Sequence, residues 1–501
     1  MTARVLMVQG TASSAGKSLL VTALCRIFAQ DGVRVAPFKA QNMALNSFVT
    51  PEGHEIGRSQ AVQAEACGIP PHVDMNPVLL KPEGEARSQV ILMGRPWQSL
   101  PAVDYYERKQ ILWEQVTAAL ARLRERHELV VIEGAGSPAE INLRESDIVN
   151  MAVALHADAP VLLVGDIDRG GVFASLLGTL MLVEAQERQL IKGLVINKFR
   201  GDVRLLESGL GMLEERAGVP VLGVVPYLHD LNIAEEDSVA LEGAQAAAGP
   251  DGVIDVAVIR FPRISNFDDF DALDLESGVR VRYVGSAREL GRPAAVILPG
   301  TKYTLADLGW LHSQGLDQRI IDLAWQGTAI VGICGGYQML GRAISDPAGV
   351  ESPMGARSEG LGLLPVVTEF APVKATHQVQ AQTLSGTGAG TEVAGYEIHM
   401  GQSRIADDKA RPLLRLTQRS GQPVDAFDGV MDAAGRVWGT YLHGIFDNTD
   451  FRRVWLRGLG WSPPEQEVDL AAVRQAAYDR LAATVRFSLD MKRLRQIVRL
   501  E

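Results

Sequence analysis

The run Ala-Ile-Val-Gly-Ile-Cys-Gly-Gly-Tyr-Gln-Met-Leu, from Ala329 to Leu340, constrains the fold more than any other stretch of the chain. An apolar β-branched run stops at Gly332, and Gly335 and Gly336 let the backbone turn at once into a helical pattern. Cys334 therefore falls at the apex of a strand–turn–helix bend, its sulfur expected to be exposed near backbone N–H groups. This is the thiol version of a nucleophile elbow, where small neighbours permit a strained backbone. A buried cysteine in a Gly-rich turn is the competing reading. Both glycines fall where the elbow needs them, which favours the nucleophile.

A second strand–loop–helix unit opens the chain. Val5 to Gln9 reads as a short buried strand, the loop Gly10-Thr11-Ala-Ser-Ser-Ala-Gly16-Lys17-Ser18 follows, and Leu19 to Ala29 has helical periodicity. Glycines let a backbone wrap phosphate oxygens, Lys17 supplies a point charge, Ser18 offers a hydroxyl to Mg²⁺, and the helix N-terminus adds an anion site. The loop is one residue longer than the usual P-loop spacing, but its context is that of a nucleotide site. Leu129 to Glu133 is a hydrophobic strand ending in an acid and a Gly-rich turn, a Walker-B-like position for holding Mg²⁺. Asp166 to Gly171 places further acids in a loop after a strand. Asn197-Lys198, after another strand, resembles a base-reading loop, but the acid at Asp202 lies too far along for guanine selectivity, so ATP is preferred.

Composition sets outer limits. At 501 residues the chain exceeds what one core organises, so two or three domains are expected. A net charge of −11 argues against nonspecific nucleic-acid binding. Cys25, Cys67 and Cys334 form neither a disulfide framework nor a zinc pattern, no apolar run has membrane length, and no signal peptide is seen. A cytoplasmic location is the expectation. Strands alternate with helices from residue 1 to about 240, and again from Val253 to about 450. Two doubly wound α/β domains with mainly parallel sheets are expected, joined by an Ala/Gly-rich linker from Glu242 to Gly252. Gln380 to Gly395 reads as a loop. Residues 451–501 read as a helical extension, its apolar stripe expected to pack on the second domain.

His443 ends a strand-like run downstream of Cys334 and is the natural base for it, with His399 as its rival. Gly300 follows the strand Ala294 to Leu298, and with Gly335 it is a candidate for the oxyanion or glutamine site.

With these residues in view, the second domain resembles a class I glutamine amidotransferase and the first a dethiobiotin-synthetase-type P-loop domain. Fused in this order, they resemble the cobyrinate amidating enzymes. The segments Pro37–Ser47, Met75–Pro82, Glu133–Leu143, Asp166–Ala174 and Asn197–Asp202 are similar to those of the cobyric acid synthase branch. The resemblance implies that Cys334 releases ammonia from L-glutamine while ATP activates a corrinoid carboxylate. The implied product is adenosylcobyric acid, from the b, d, e and g carboxylates of adenosylcobyrinic acid a,c-diamide. Ammonia would pass between the domains without release. Lys39, Lys81 and Arg144 are then candidates for meeting substrate carboxylates. Two positions depart from the wider families. Ile445 stands where a Glu usually orients the catalytic His, so the third member is absent or supplied elsewhere. Gln60 stands where dethiobiotin synthetases carry a metal-binding Asp, leaving Ser18 and Glu133 as the metal candidates. An a,c-diamide synthase, or a P-loop regulator with an inactive amidotransferase domain, are the alternatives.

Overall fold

In the computed structural model, short apolar strands alternate with helices to form two α/β units. Residues 2–83, 87–101, 108–229, 231–234, 236, 252–386, 388–407, 410–464 and 468–500 are described. The first unit comprises Met1–Met43, Ile56–Ile233 and Ala471–Glu501, and the second comprises Ala44–Glu55 and Ala234–Leu470. Apart from Gly252, the expected linker lies outside the described residues.

The first unit is built on β1 (Arg4–Gly10), β2 (Val35–Phe38), β3 (Leu129–Glu133), β4 (Val161–Asp166), β5 (Ile191–Phe199) and β6 (Val221–Pro226). They form a six-stranded sheet in the order β6-β5-β4-β1-β3-β2, and every neighbouring pair is parallel. All residues of β2 and β3 are buried, as a sheet covered on both faces requires. Helix α1 (Lys17–Gln30) lays Leu20, Leu24, Ile27 and Phe28 against one face.

The closing helices pack on α1, not on the second unit. Leu481, Ala482, Val485, Leu489, Leu494 and Val498 share one buried cluster with Leu20, Leu24 and Phe28. The apolar stripe was legible, but a stripe says only that a face is buried, not against what.

In the second unit, β7 (Ile254–Ile259), β8 (Val279–Val284), β9 (Ala295–Leu298), β10 (Ala329–Ile333) and β11 (Val437–Thr440) form a parallel core in the order β8-β7-β9-β10-β11. Antiparallel strands extend it, among them the long pair Val366–Thr383 and Glu392–Ile405. The two ends of the segment from Gln380 to Gly395 that reads as a loop, Gln380–Thr383 and Glu392–Gly395, belong to this pair. From Val379 to Thr383 burial alternates residue by residue, a period of two beneath a polar composition.

Leu481→Ala should cost about 2–5 kcal/mol, the usual range for a buried leucine. Hydrogen exchange should accelerate across Leu20 to Phe28 while Val256 to Ile259 stays protected. Acceleration in Val256 to Ile259 alone would place the helix in the other unit.

Candidate active site

Strand β10 is buried throughout and ends at Cys334, whose φ of 53° and ψ of −108° put a non-glycine residue in a strained region. Such geometry costs on the order of 1–3 kcal/mol and persists only where the surroundings enforce it. Helix α2 (Gly335–Leu340) starts at the next residue. A Cβ at Gly332 would come within 2.6 Å of the Tyr337 nitrogen, and one at Gly336 would collide with the Leu298 carbonyl. The Cys334 N–H donates to Thr440 O at 2.8 Å, which ties the bend to β11. The elbow has the expected form, but the thiol is nearly covered, with Cys334 only 8% exposed.

Parallel pairing sets Ile333 beside Thr440, so the residues just beyond β11 arrive next to the elbow. His443 is among them and fully buried, near enough to Cys334 for the two to interact, while the Cys334 Sγ–H itself points to Ile398 O at 3.7 Å. Its Nδ1 donates to Asp269 Oδ2 at 2.7 Å, and the Gly444 N–H donates to Asp269 Oδ1 at 2.9 Å. Burial pulls the imidazole pKa down, but the Asp269 charge and the bonds to Asp269 and Cys334 outweigh it, raising the pKa to about 10. The ring stacks on Tyr396, centroids 5.2 Å apart.

A carboxylate thus reaches the His443 ring from elsewhere in the chain. Ile445 is buried in the apolar core, and Asp269 comes from the turn Phe267–Phe270. The signal was present as Asn-Phe-Asp-Asp-Phe (Asn266 to Phe270) shortly after β7, but nothing local links it to a histidine 174 positions away. His399 stacks on Tyr441 at 3.7 Å, and its Nδ1 donates to Gly401 O at 2.7 Å. Gly300 lies against His443: a Cβ there would sit 3.0 Å from the ring's Cε1. A Cβ on Gly335 would lie 3.2 Å from the Thr301 nitrogen, which places the β9 turn beside the elbow.

In the first unit, the loop after β1 folds back on Lys17, whose Nζ donates to Ala12 O, Ser13 O and Gly136 O at 2.9, 3.2 and 3.1 Å. The Thr11 N–H donates to Val164 O at 2.9 Å. Gly10 must lack a side chain, since a Cβ would lie 2.9 Å from Ala12 O. Gly16, at φ 91°, leaves room for the Asn197 amide, which donates to Ala15 O at 2.9 Å. Lys198 reaches Ser14 O at 2.7 Å and Asp166 at 3.0 Å.

Glu133 is the hub of this site. Its buried carboxylate accepts from Ser18 Oγ at 2.8 Å, Lys39 Nζ at 2.8 Å and Gln63 Nε2 at 2.5 Å. Burial raises its pKa, but Lys39 and the three donors more than offset this and hold it below the usual range. Lys39 therefore stands at the P-loop carboxylate, not in a separate substrate pocket. Gln60 is buried, accepting from Asn42 Nδ2 at 3.0 Å and donating to Ser59 at 2.8 Å. Lys81 is buried on the strand Val78–Pro82, opposite Gln89 in a separate four-stranded sheet. Arg144 is paired with Glu184 at 2.9 Å and with Glu187, acids of one capping box, so its guanidinium is already engaged. Among the described residues, no three His, Cys, Asp or Glu side chains gather as a metal cluster, and no helix is long and apolar enough to cross a membrane.

Residues 6–241 match the model of a CobQ/CobB/MinD/ParA nucleotide binding domain, and residues 255–451 match that of a CobB/CobQ-like glutamine amidotransferase domain. The chain is 55% identical over 499 residues to a cobyric acid synthase of Chloroflexus aurantiacus, with 100% of each chain covered. To a cobyric acid synthase of Sorangium cellulosum it is 54% identical over 526 residues, again with 100% of each covered. To one of Dehalococcoides mccartyi it is 52% identical over 503 residues, with 99% of each covered. A solved glutamine amidotransferase aligns with a TM-score of 0.31 at 19% identity, over 41% of this chain and 99% of that one. With more than half of the residues identical from end to end, and a nucleotide-binding and an amidotransferase domain in the same order, the chain belongs to the cobyric acid synthase family.

Proposed function

We propose that this protein amidates the b, d, e and g carboxylates of adenosylcobyrinic acid a,c-diamide to give adenosylcobyric acid, using ATP, Mg²⁺ and L-glutamine. The observation that carries the reading is that both centres are intact in a chain similar throughout its length to cobyric acid synthases.

In the second unit, the Cys334 sulfur attacks the glutamine side-chain carbonyl, and backbone N–H groups beside Gly300 and Gly335 take up the oxyanion. His443 holds the proton that the departing nitrogen needs, so ammonia leaves and a thioester remains. Water then hydrolyses the thioester to glutamate, with His443 accepting a proton from it. Asp269 keeps the ring oriented and stabilises its charged form.

In the first unit, a corrinoid carboxylate oxygen takes the γ-phosphoryl group of ATP, releasing ADP. Ammonia attacks the resulting acyl phosphate, and phosphate leaves as the amide forms. Lys17 turns from the loop carbonyls to the phosphate oxygens, and Asn197 and Lys198 brace the loop. Ser18 and Glu133, both hard oxygen donors, are the side chains that would hold Mg²⁺, which neutralises phosphate charge when bound. Lys39 stays with Glu133, balancing its charge.

Cys334→Ser should abolish glutamine-dependent amidation yet leave amidation with high ammonia. Equal loss with both nitrogen donors would rule out a self-contained glutaminase. Lys17→Ala should reduce ATP-dependent amidation on the order of 10³-fold while basal glutamine hydrolysis survives. Normal amidation by that variant would mean that ATP binds elsewhere.

Asp269→Asn should lower glutamine turnover by roughly 10²–10⁴-fold with little change in ammonia-dependent amidation. It should also change the pH dependence of stability. His443 has a folded-state pKa near 10, above its ordinary 6.5. Its charge therefore contributes stability in full below pH 6.5, and that contribution is lost as pH rises through 10. In the Asn variant burial dominates and the ring is neutral at lower pH. The wild-type advantage in unfolding free energy should shrink between pH 7 and 10, and a flat difference would show that the pair holds no proton.

A further inference from the structure

The segment Ala44–Glu55 belongs by contact to the second unit, although the chain on either side of it belongs to the first. Just before it comes Lys39, bonded to Glu133, and shortly after it comes Gln63, bonded to the same carboxylate. The segment is thus flanked in sequence, on both sides, by residues bonded to Glu133.

Inside the second unit the segment meets the residues that hold His443. The Asn266 N–H donates to Asn46 Oδ1 at 2.7 Å, and the Ser47 N–H donates to Asn266 Oδ1 at 3.1 Å. Asn266 Nδ2 donates to the Tyr396 hydroxyl at 3.1 Å, and that hydroxyl donates to Ser47 O at 3.4 Å. Asn46, Ser47 and Asn266 are all buried, so these bonds are costly to leave unmade. Asn266 sits at φ 52°, and its carbonyl accepts from the Asp269 N–H at 3.2 Å, so the knot sets where the orienting carboxylate lies. Tyr396 stacks on His443 and exchanges backbone hydrogen bonds with it at 2.8 and 3.1 Å. Phe48 packs on Tyr396, centroids 5.4 Å apart. The other end of the segment is anchored by Glu55 to Lys374 at 2.5 Å and by Gly53 O to Thr376 at 2.9 Å.

We propose that Asn46, Ser47 and Asn266 are positioning residues for the Asp269–His443 pair, and that the segment Ala44–Glu55 is the arm through which occupancy of the nucleotide unit raises glutamine hydrolysis. The two states are the knot drawn tight, with Asp269 and Tyr396 bracketing the ring, and the knot slack. Coupling between sites of this kind spans about 5–150-fold. The inference rests on the reading of Cys334 and His443 as the glutaminase pair.

The test uses the full-length protein and measures glutamine hydrolysis with and without ATP plus the corrinoid diamide, alongside ammonia-dependent amidation. In Asn46→Ala, the rise in glutamine kcat on adding ATP and corrinoid should be lost, a fall of about tenfold in stimulated turnover. Ammonia-dependent amidation should stay within about twofold of wild type. Tyr396→Phe, which keeps the stacked ring but removes the hydroxyl, should lose part of the stimulation, about threefold, without a change in fold. A wild-type ratio of stimulated to basal hydrolysis in both variants overturns the proposal. So does an equal loss of ammonia-dependent amidation, or a wild-type enzyme that shows no stimulation. Glutamine hydrolysis that persists in Cys334→Ser would instead overturn the underlying assignment.

Discussion

A carboxylate taken out of water must be surrounded by donors, and both centres of this protein are organised by that requirement. An unpaired buried charge costs several kcal/mol, so its partners cannot wander. Glu133 is held by a lysine, a serine and a glutamine, and Asp269 by a histidine and a backbone amide. Each acid thereby fixes its neighbours: the Ser18 hydroxyl near the start of α1 in one unit, the imidazole beside the thiol in the other. Removing either acid would loosen a whole cluster, not one bond.

Parallel sheets explain why these acids can serve several partners. In both units the candidate site residues sit at the carboxyl ends of adjacent strands, where the chain leaves the sheet for a loop or helix. β1 and β3 deliver the P-loop and Glu133 side by side, and β10 and β11 deliver Cys334 and His443. Register does the positioning, and glycine does the rest by removing side chains where backbones crowd. The elbow is the sharpest case, with Gly332 and Gly336 flanking a cysteine whose own dihedral angles are strained.

What was legible in the sequence was what is contiguous in it. The P-loop and the cysteine elbow each declare themselves within about a dozen residues, because strand, turn and helix signals fall in fixed order. Asp269 was not legible, since its partner lies in another strand-end turn and no local pattern joins them. The partners of Arg144 were hidden for a related reason, because Glu184 and Glu187 lie in a capping box far along the chain. Nor does the sequence show that Lys39 is bonded to Glu133, since the two lie far apart in the chain. The closing helices failed differently, because their amphipathic stripe is compatible with any apolar surface.

The segment Ala44–Glu55 shows the deepest limit of linear reading. Its residues sit between stretches of the first unit, and nothing in their composition announces burial, yet Asn46 and Ser47 are as buried as core side chains. A loop would leave such amides to water. Burying them requires partners of matched geometry, and Asn266, in the loop before Phe267–Phe270, and Tyr396, within the strand Glu392–Ile405, supply these from far along the chain. A pair of buried polar residues such as Asn46 and Ser47, hydrogen-bonded inside the other unit, is hard to account for as packing alone, because apolar residues would fill the same space without the desolvation cost. What polar residues add is direction: a hydrogen-bonded knot holds one arrangement of Asp269 and Tyr396 against the ring of His443, and it can be undone by a displacement too small to disturb an apolar core.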